Sequence, residues 1–258
     1  MGAGASSDTI EMTDGIELYR FRAVTRPERK RALSMFTKEV GTIAWIREVV
    51  KPGEVFIDVG ANVGLYSVFA ASRVQATGAV YAFEPHVPTF HTLLINITLN
   101  GLSHIITPLV CALHEEVAAL PFNYLRLDSG SSGSQLGGMK DGNEQPFVPV
   151  ATELKWATSL DEQIERATIR QPDHVKIDVD GNELPILLGM RKLLTNHRRP
   201  KTLQVEINAR SKSELLSFLR DVGYIKYHRH DTALGKKAIA AGQDPEAVAH
   251  NALFRPAE

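Results

Sequence analysis

Three short segments carry polar residues at the ends of apolar runs, where chemistry is easiest to build. The first is Ile57-Asp58-Val59-Gly60-Ala61-Asn62-Val63-Gly64-Leu65-Tyr66-Ser67. Gly60 and Gly64 allow a tight turn and the close approach of a ligand, because no Cβ intervenes. A helix starting after such a turn offers free N–H groups to a carboxylate or phosphate, and Asp58 at the strand end can accept from a cationic amine. The segment departs from the dinucleotide pattern Gly-x-Gly-x-x-Gly, since Asn62 takes the middle glycine position. A turn that holds an amino-acid moiety accounts for Asp58 better than one that holds a pyrophosphate. The second segment is Phe83-Glu84-Pro85. A carboxylate there can accept hydrogen bonds from both hydroxyls of a ribose; alone, it reads equally well as a surface carboxylate. The third is Val175-Lys176-Ile177-Asp178-Val179-Asp180-Gly181-Asn182-Glu183-Leu184. Its clustered acids could take a hard cation or hold substrate hydroxyls and polarise a nucleophile. The second reading is preferred because no histidine or fourth acid lies near in the sequence, and Asp180 and Glu183 also suit a turn and a first helical turn.

These segments need strands that end together. Val55 to Val59, Ala79 to Phe83, Ile105 to Val110, Val175 to Val179 and Leu203 to Ile207 read as buried strands. Helices are expected over residues 31–50, 65–73, 88–100, 182–195 and 213–222, the last closed by Gly223. Ser159 with Glu162 resembles a capping box. Strands at residues 225–228 and 252–254 come last. The alternation predicts an α/β fold in three layers, a mostly parallel sheet with helices on both faces. Two stretches break the rhythm. Residues 1–14 are small and polar and read as a frayed tail. Residues 124–146, rich in glycine and serine, read as a flexible loop or lid over an acceptor.

The chain has 258 residues, enough for one large domain or two small ones. A net charge of −1 gives no global pull toward nucleic acid or anionic membrane. No apolar run is long enough to span a bilayer. The single cysteine, Cys111, excludes an internal disulfide framework and any multi-thiolate metal site, and suits a reducing, cytoplasmic setting. Cys111 itself reads as a small buried thiol. Met1-Gly2-Ala3-Gly4-Ala5-Ser6 matches the short myristoylation pattern, against which stands a plain solvated tail. The basic cluster Arg20, Arg22, Arg26, Arg29, Lys30 and Arg31 reads as a solvated helix face in preference to an anion site.

Together the three segments resemble the FkbM family of S-adenosylmethionine-dependent methyltransferases, within the class I Rossmann-like group. The resemblance runs from about Lys51 to Arg255. Ser129-Gly130-Ser131-Ser132, Thr158-Ser159-Leu160-Asp161 and Asn251-Ala252-Leu253-Phe254 also resemble family features. Asp180 departs, standing where glutamate is more usual and shortening the reach. The resemblance implies a methyltransferase sheet with an antiparallel last strand, a tail and helical cap over residues 1–50, and the methyltransferase domain over 51–258. It implies that Asp58, Gly60, Ala61, Asn62, Gly64, Tyr66 and Ser67 hold the methionine part of S-adenosylmethionine. Glu84 with Pro85 would serve the ribose, and His86, Cys111 or Ala112 would lie near the adenine. The implied reaction is O-methylation of a small molecule or a sugar of a glycan. Asp178 is the first choice of general base and Glu206 the second, with His228 and His230 further off. Asp180 and Glu183 would bind the acceptor. No metal, nucleic acid or stable membrane insertion is expected. The alternatives are a nicotinamide-dependent oxidoreductase and a non-catalytic cofactor-binding module.

Overall fold

The computed structural model describes residues 8–140, 145–208 and 212–257; the myristoylation pattern lies outside them. Residues 9–13 of the expected frayed tail form a strand of a hairpin. β1 (Thr9–Thr13) pairs antiparallel with β2 (Leu18–Arg22), and the Asp14 carboxylate accepts from the N–H groups of Ile16 and Glu17 in the turn. The helix expected over 31–50 is two helices, α1 (Arg26–Leu33) and α2 (Val40–Val49). Thr25 and Glu28 form a capping box at the start of α1. At its end the Ser34 hydroxyl turns back to the Arg31 carbonyl, which satisfies the last turn and stops the helix.

Strand and helix then alternate as expected: β3 (Val55–Val59), α3 (Leu65–Val74), β4 (Ala79–Phe83), α4 (Val87–Leu99) and β5 (Ile106–Leu109). A small second sheet follows, from β6 (Ala112–Leu113), β7 (Ala118–Tyr124), β8 (Gln135–Leu136) and β9 (Ala151–Thr158), in the order β6-β9-β7-β8. Next come α5 (Leu160–Glu165), β10 (His174–Ile177), α6 (Glu183–Leu188), α7 (Arg191–Thr195), β11 (Thr202–Ile207), α8 (Lys212–Asp221), β12 (Tyr224–Asp231), α9 (Ala233–Ala240) and β13 (His250–Pro256). The helix expected over 182–195 is thus broken between α6 and α7. Gly189 sits in the break, where a Cβ would stand 2.5 Å from the His114 carbonyl oxygen. Ser159 caps α5, accepting from the Glu162 N–H.

The main sheet has the order β12-β13-β11-β10-β3-β4-β5. β13 runs antiparallel to both its neighbours, while β11, β10, β3, β4 and β5 are mutually parallel. Alternation along each strand divides the core. Val55, Ile57 and Val59 face the side packed by α5 to α8, and Phe56 faces α2, α3 and the N-terminal hairpin. Tyr19, Phe21, Met35, Ile43 and Trp45, all from the first fifty residues, belong to that second cluster. Successive strands leave the centre in opposite directions from β3 and β10. Their carboxyl ends therefore part around a crevice, the place where open α/β sheets bind ligands. No helix of the described residues is long and apolar enough to cross a membrane.

Candidate active site

The turn after β3 is fixed by its own backbone. The N–H groups of Gly60 and Ala61 both donate to the Phe83 carbonyl at 3.0 Å. Gly60 has φ of 76°, and a Cβ there would lie 2.0 Å from the Asp178 carbonyl oxygen, so only glycine fits. Asn62 also adopts the left-handed region, at φ 51°. Its N–H donates to Glu84 Oε2 at 2.8 Å and its side chain to the Ser131 carbonyl at 2.9 Å. Gly64, at φ 88°, begins α3.

Beneath this turn lies a buried charge chain. Asp58 accepts from the Ser67 hydroxyl at 2.6 Å and faces Lys176 Nζ at 3.2 Å. Lys176 Nζ in turn lies 3.6 Å from Asp178 Oδ2 and 5.2 Å from the centre of the Tyr66 ring. Burial opposes the lysine charge, but Asp58 and Asp178 outweigh it and raise its pKa. Asp58 and Ser67 therefore support the turn from below; neither borders the cleft above it.

At the end of β4, Glu84 is buried yet borders the cleft. Its two oxygens accept from the N–H groups of His86, at 2.9 Å, and Asn62. Each oxygen keeps a second lone pair. Burial pushes the carboxyl up to about 7 against these two donors. His86 caps α4 by accepting from the Thr89 N–H at Nδ1, so the proton sits on Nε2, which donates to the Arg126 carbonyl at 2.8 Å. Burial lowers its pKa, and the ring is neutral.

Across the crevice, Asp178, Asp180 and Glu206 crowd the ends of β10 and β11. Burial would raise Asp178, but the charges of Lys176, Lys38 and Arg31 hold it below the usual carboxylate range. The largest influences on Glu206 all disfavour its charge. Burial, then repulsion from Asp178, Glu183, Asp180 and Glu39, lifts it well above its ordinary value. Asp180 stands at φ 59°, accepts from the Gly133 N–H at 2.8 Å, and is raised by burial and by Asp178. Glu183 points away from the cleft. It accepts from the N–H groups of Val179 and Gly181 and from the Asn208 amide, at 3.3, 3.0 and 3.1 Å, and burial pushes it up to about 7.

The glycine-rich stretch forms a wall pinned on several sides. Asn62 holds Ser131, Asp180 holds Gly133, and Gln135 donates to the Asp180 carbonyl at 2.9 Å. Arg31 Nε donates to the Gly130 carbonyl, and Gly130 N–H to Thr89 Oγ1. The expected loose lid is thus, over residues 129–136, an anchored part of the site. The cleft so enclosed contains about 1050 Å³ of empty space open to solvent.

The sequence profile of the Methyltransferase FkbM domain matches residues 58–226. The chain belongs to the FkbM methyltransferase family. A curated relative, the hexuronic acid methyltransferase AglP of Haloferax volcanii, is 26% identical over 156 residues, which cover 60% of this chain and 58% of that protein. Among solved structures, a Clostridium thermocellum protein assigned as an rRNA methylase superposes with a TM-score of 0.52 at 13% identity, covering 86% of this chain and 97% of its own. An FkbM methyltransferase from Methylobacillus flagellatus gives 0.48 at 17% identity, covering 82% of this chain and 50% of its own. At these identities the structural likeness is one of fold. Membership of a methyltransferase family sets the nicotinamide-dependent alternative aside.

Of the residues singled out in the sequence, Gly60, Asn62, Glu84, Pro85, Ala112, Asp178, Asp180 and Glu206 meet on the FkbM cleft, with His86 and Cys111. Ala61 and Tyr66 line a small adjoining recess with Lys176 and Asp178. His228 and His230 meet edge to face, ring centres 4.4 Å apart, on β12 and do not border the cleft. Burial raises the Cys111 thiol, which keeps it protonated. Three charged residues of the cleft had no assigned role in the sequence: Arg31, Lys38 and Glu39. Arg31 sits in the basic cluster read as a solvated face, and only the packing of α1 against residues 129–131 shows which of those cations turns inward. Lys176 carried its own signal, a charge inside an apolar strand, which must find a partner when buried.

Proposed function

We propose that this chain transfers a methyl group from S-adenosylmethionine to a hydroxyl of a sugar, with a hexuronic acid unit as the first acceptor to test. What supports this best is the convergence of Gly60, Glu84 and Asp178 at the ends of three neighbouring strands on one cleft. The residues fit the cofactor. Gly60 brings bare backbone to the cleft wall, and Glu84 offers free lone pairs to two ribose hydroxyls. Pro85, His86 and Ala112 border the same end of the cleft, where an adenine would lie. When bound, S-adenosylmethionine supplies an activated, electrophilic methyl group.

The protein's share is alignment and proton handling. Asp178 is ionised and borders the cleft, so it can take the proton of an acceptor hydroxyl. Burial and the neighbouring acids raise the Glu206 carboxyl well above its ordinary value, which favours the protonated form that can donate a hydrogen bond to a second acceptor oxygen. Asp178 and Glu206 repel one another, and the cations Lys176, Lys38 and Arg31 favour the negative charge on Asp178. Asp180 is partly spent on Gly133, which restricts it to the rim of the acceptor space. The sugar acceptor draws on the AglP likeness.

The test is incubation of the purified protein with methyl-labelled S-adenosylmethionine and glycans containing uronic acids, followed by mass spectrometry. The reading expects label and the mass of one added methylene on a sugar oxygen. Label on nitrogen or carbon, or on nucleic acid alone, contradicts it.

A further inference from the structure

The turn that should hold the methionine portion has few donors to spare. Gly60 and Ala61 N–H go to Phe83, Asn62 N–H goes to Glu84, and Val63 N–H goes to Asn62 Oδ1 at 2.9 Å. Gly64 N–H returns to the Ala61 carbonyl. A carboxylate lying over residues 60–64 therefore finds no amide of that turn free to receive it. The cleft wall is otherwise acidic, with Glu39, Glu84, Asp178, Asp180 and Glu206. Its lysine and arginine side chains are Arg31 and Lys38, and both also line the recess beside the turn. Arg31 spends Nε on the Gly130 carbonyl, and its terminal nitrogens make no hydrogen bond to the described residues. Lys38 Nζ lies 2.8 Å from Glu39 Oε1.

We propose that Arg31, assisted by Lys38, binds the α-carboxylate of the cofactor's methionine portion. This rests on the cofactor reading above. It means that α1 and the segment leading into α2, which precede the family match at residue 58, complete the cofactor site. The arrangement sorts the two charges of a bound amino acid. Its ammonium falls toward Glu39, which lines both the cleft and the recess, and its carboxylate toward a planar guanidinium able to form two parallel hydrogen bonds. Because Arg31 also holds Gly130, the same side chain joins the carboxylate to the cleft wall.

The test is calorimetric titration with two ligands, S-adenosylhomocysteine and its decarboxylated analogue, which differ only in the carboxylate. The wild-type protein should bind the first about ten- to a hundredfold more tightly, as expected of hydrogen bonds to a charged group. Arg31→Gln should erase most of that preference by weakening S-adenosylhomocysteine alone, and Lys38→Gln should reduce it by a smaller factor. If the wild type binds both ligands equally, or Arg31→Gln weakens both alike, the carboxylate clamp is wrong and the cofactor reading survives. If the wild type binds neither ligand, the cofactor reading itself falls. Should Arg31→Gln fail to fold for want of its Gly130 contact, the wild-type ligand ratio and Lys38→Gln decide.

Discussion

The two sides of the crevice handle negative charge in opposite ways. At the ends of β3 and β4, every acid has fixed donors: Asp58 has Ser67 and Lys176, and Glu84 has two backbone N–H groups. At the ends of β10 and β11, Asp178, Asp180 and Glu206 repel one another, and Glu206 has no hydrogen-bond partner among the described residues. The first side is a finished mould whose shape precedes any ligand, and suits a cofactor that is the same in every cycle. The second holds unspent acceptor capacity and a proton that can move, and suits a hydroxyl whose proton must leave. Binding and chemistry are thus separated across the switch point, and Lys176 is the bridge between them.

That division can be broken in graded steps. The largest effect belongs to Asp178→Asn. Turnover should fall by about 10²–10⁴-fold in a methyl-transfer assay, while affinity for S-adenosylhomocysteine changes little. Equal losses in both would place Asp178 on the binding side. Lys176→Met comes next, because it strands Asp58 as a buried, unpaired charge. Unfolding in urea should show a loss of about 3–5 kcal/mol; a variant as stable as the wild type would mean that Asp58 is held by Ser67 alone. The smallest effect is on the pH dependence of binding. Burial holds the Glu84 carboxyl up to about 7, so above that pH it is ionised and ready to accept from ribose hydroxyls. Below it a proton must leave first, and the affinity for S-adenosylhomocysteine should fall by about tenfold per pH unit. Titrations across neutral pH should show this slope in the wild type and none in Glu84→Gln.

The central strands were legible because they are apolar runs bounded by glycine and proline, and the polar residue closing each one marks the crevice. The second sheet was not, although Ala151–Thr158 alternates. Its hydrophobic pattern is inverted: Leu154 and Trp156 are 73% and 60% exposed, while Lys155 between them is buried. Hydrophobic periodicity assumes that apolar side chains point inward, and here they do not. The helix breaks at Ser34 and Gly189 depend on a local back-bond and on a distant carbonyl, neither visible in periodicity. Asp58 shows a different limit. Its type and place at a strand end suggested a ligand contact, but Lys176, on the neighbouring strand and pointing to the same face, claims the carboxylate first. Arg31 shows the converse, a functional side chain hidden in a run of similar charges.

The most direct test is a crystal structure of the protein grown with S-adenosylhomocysteine. It should show the ribose hydroxyls on Glu84, the adenine beside Pro85, His86 and Ala112, and the amino-acid end over Gly60. Density for the ligand outside this crevice, or with the ribose turned away from Glu84, would contradict it.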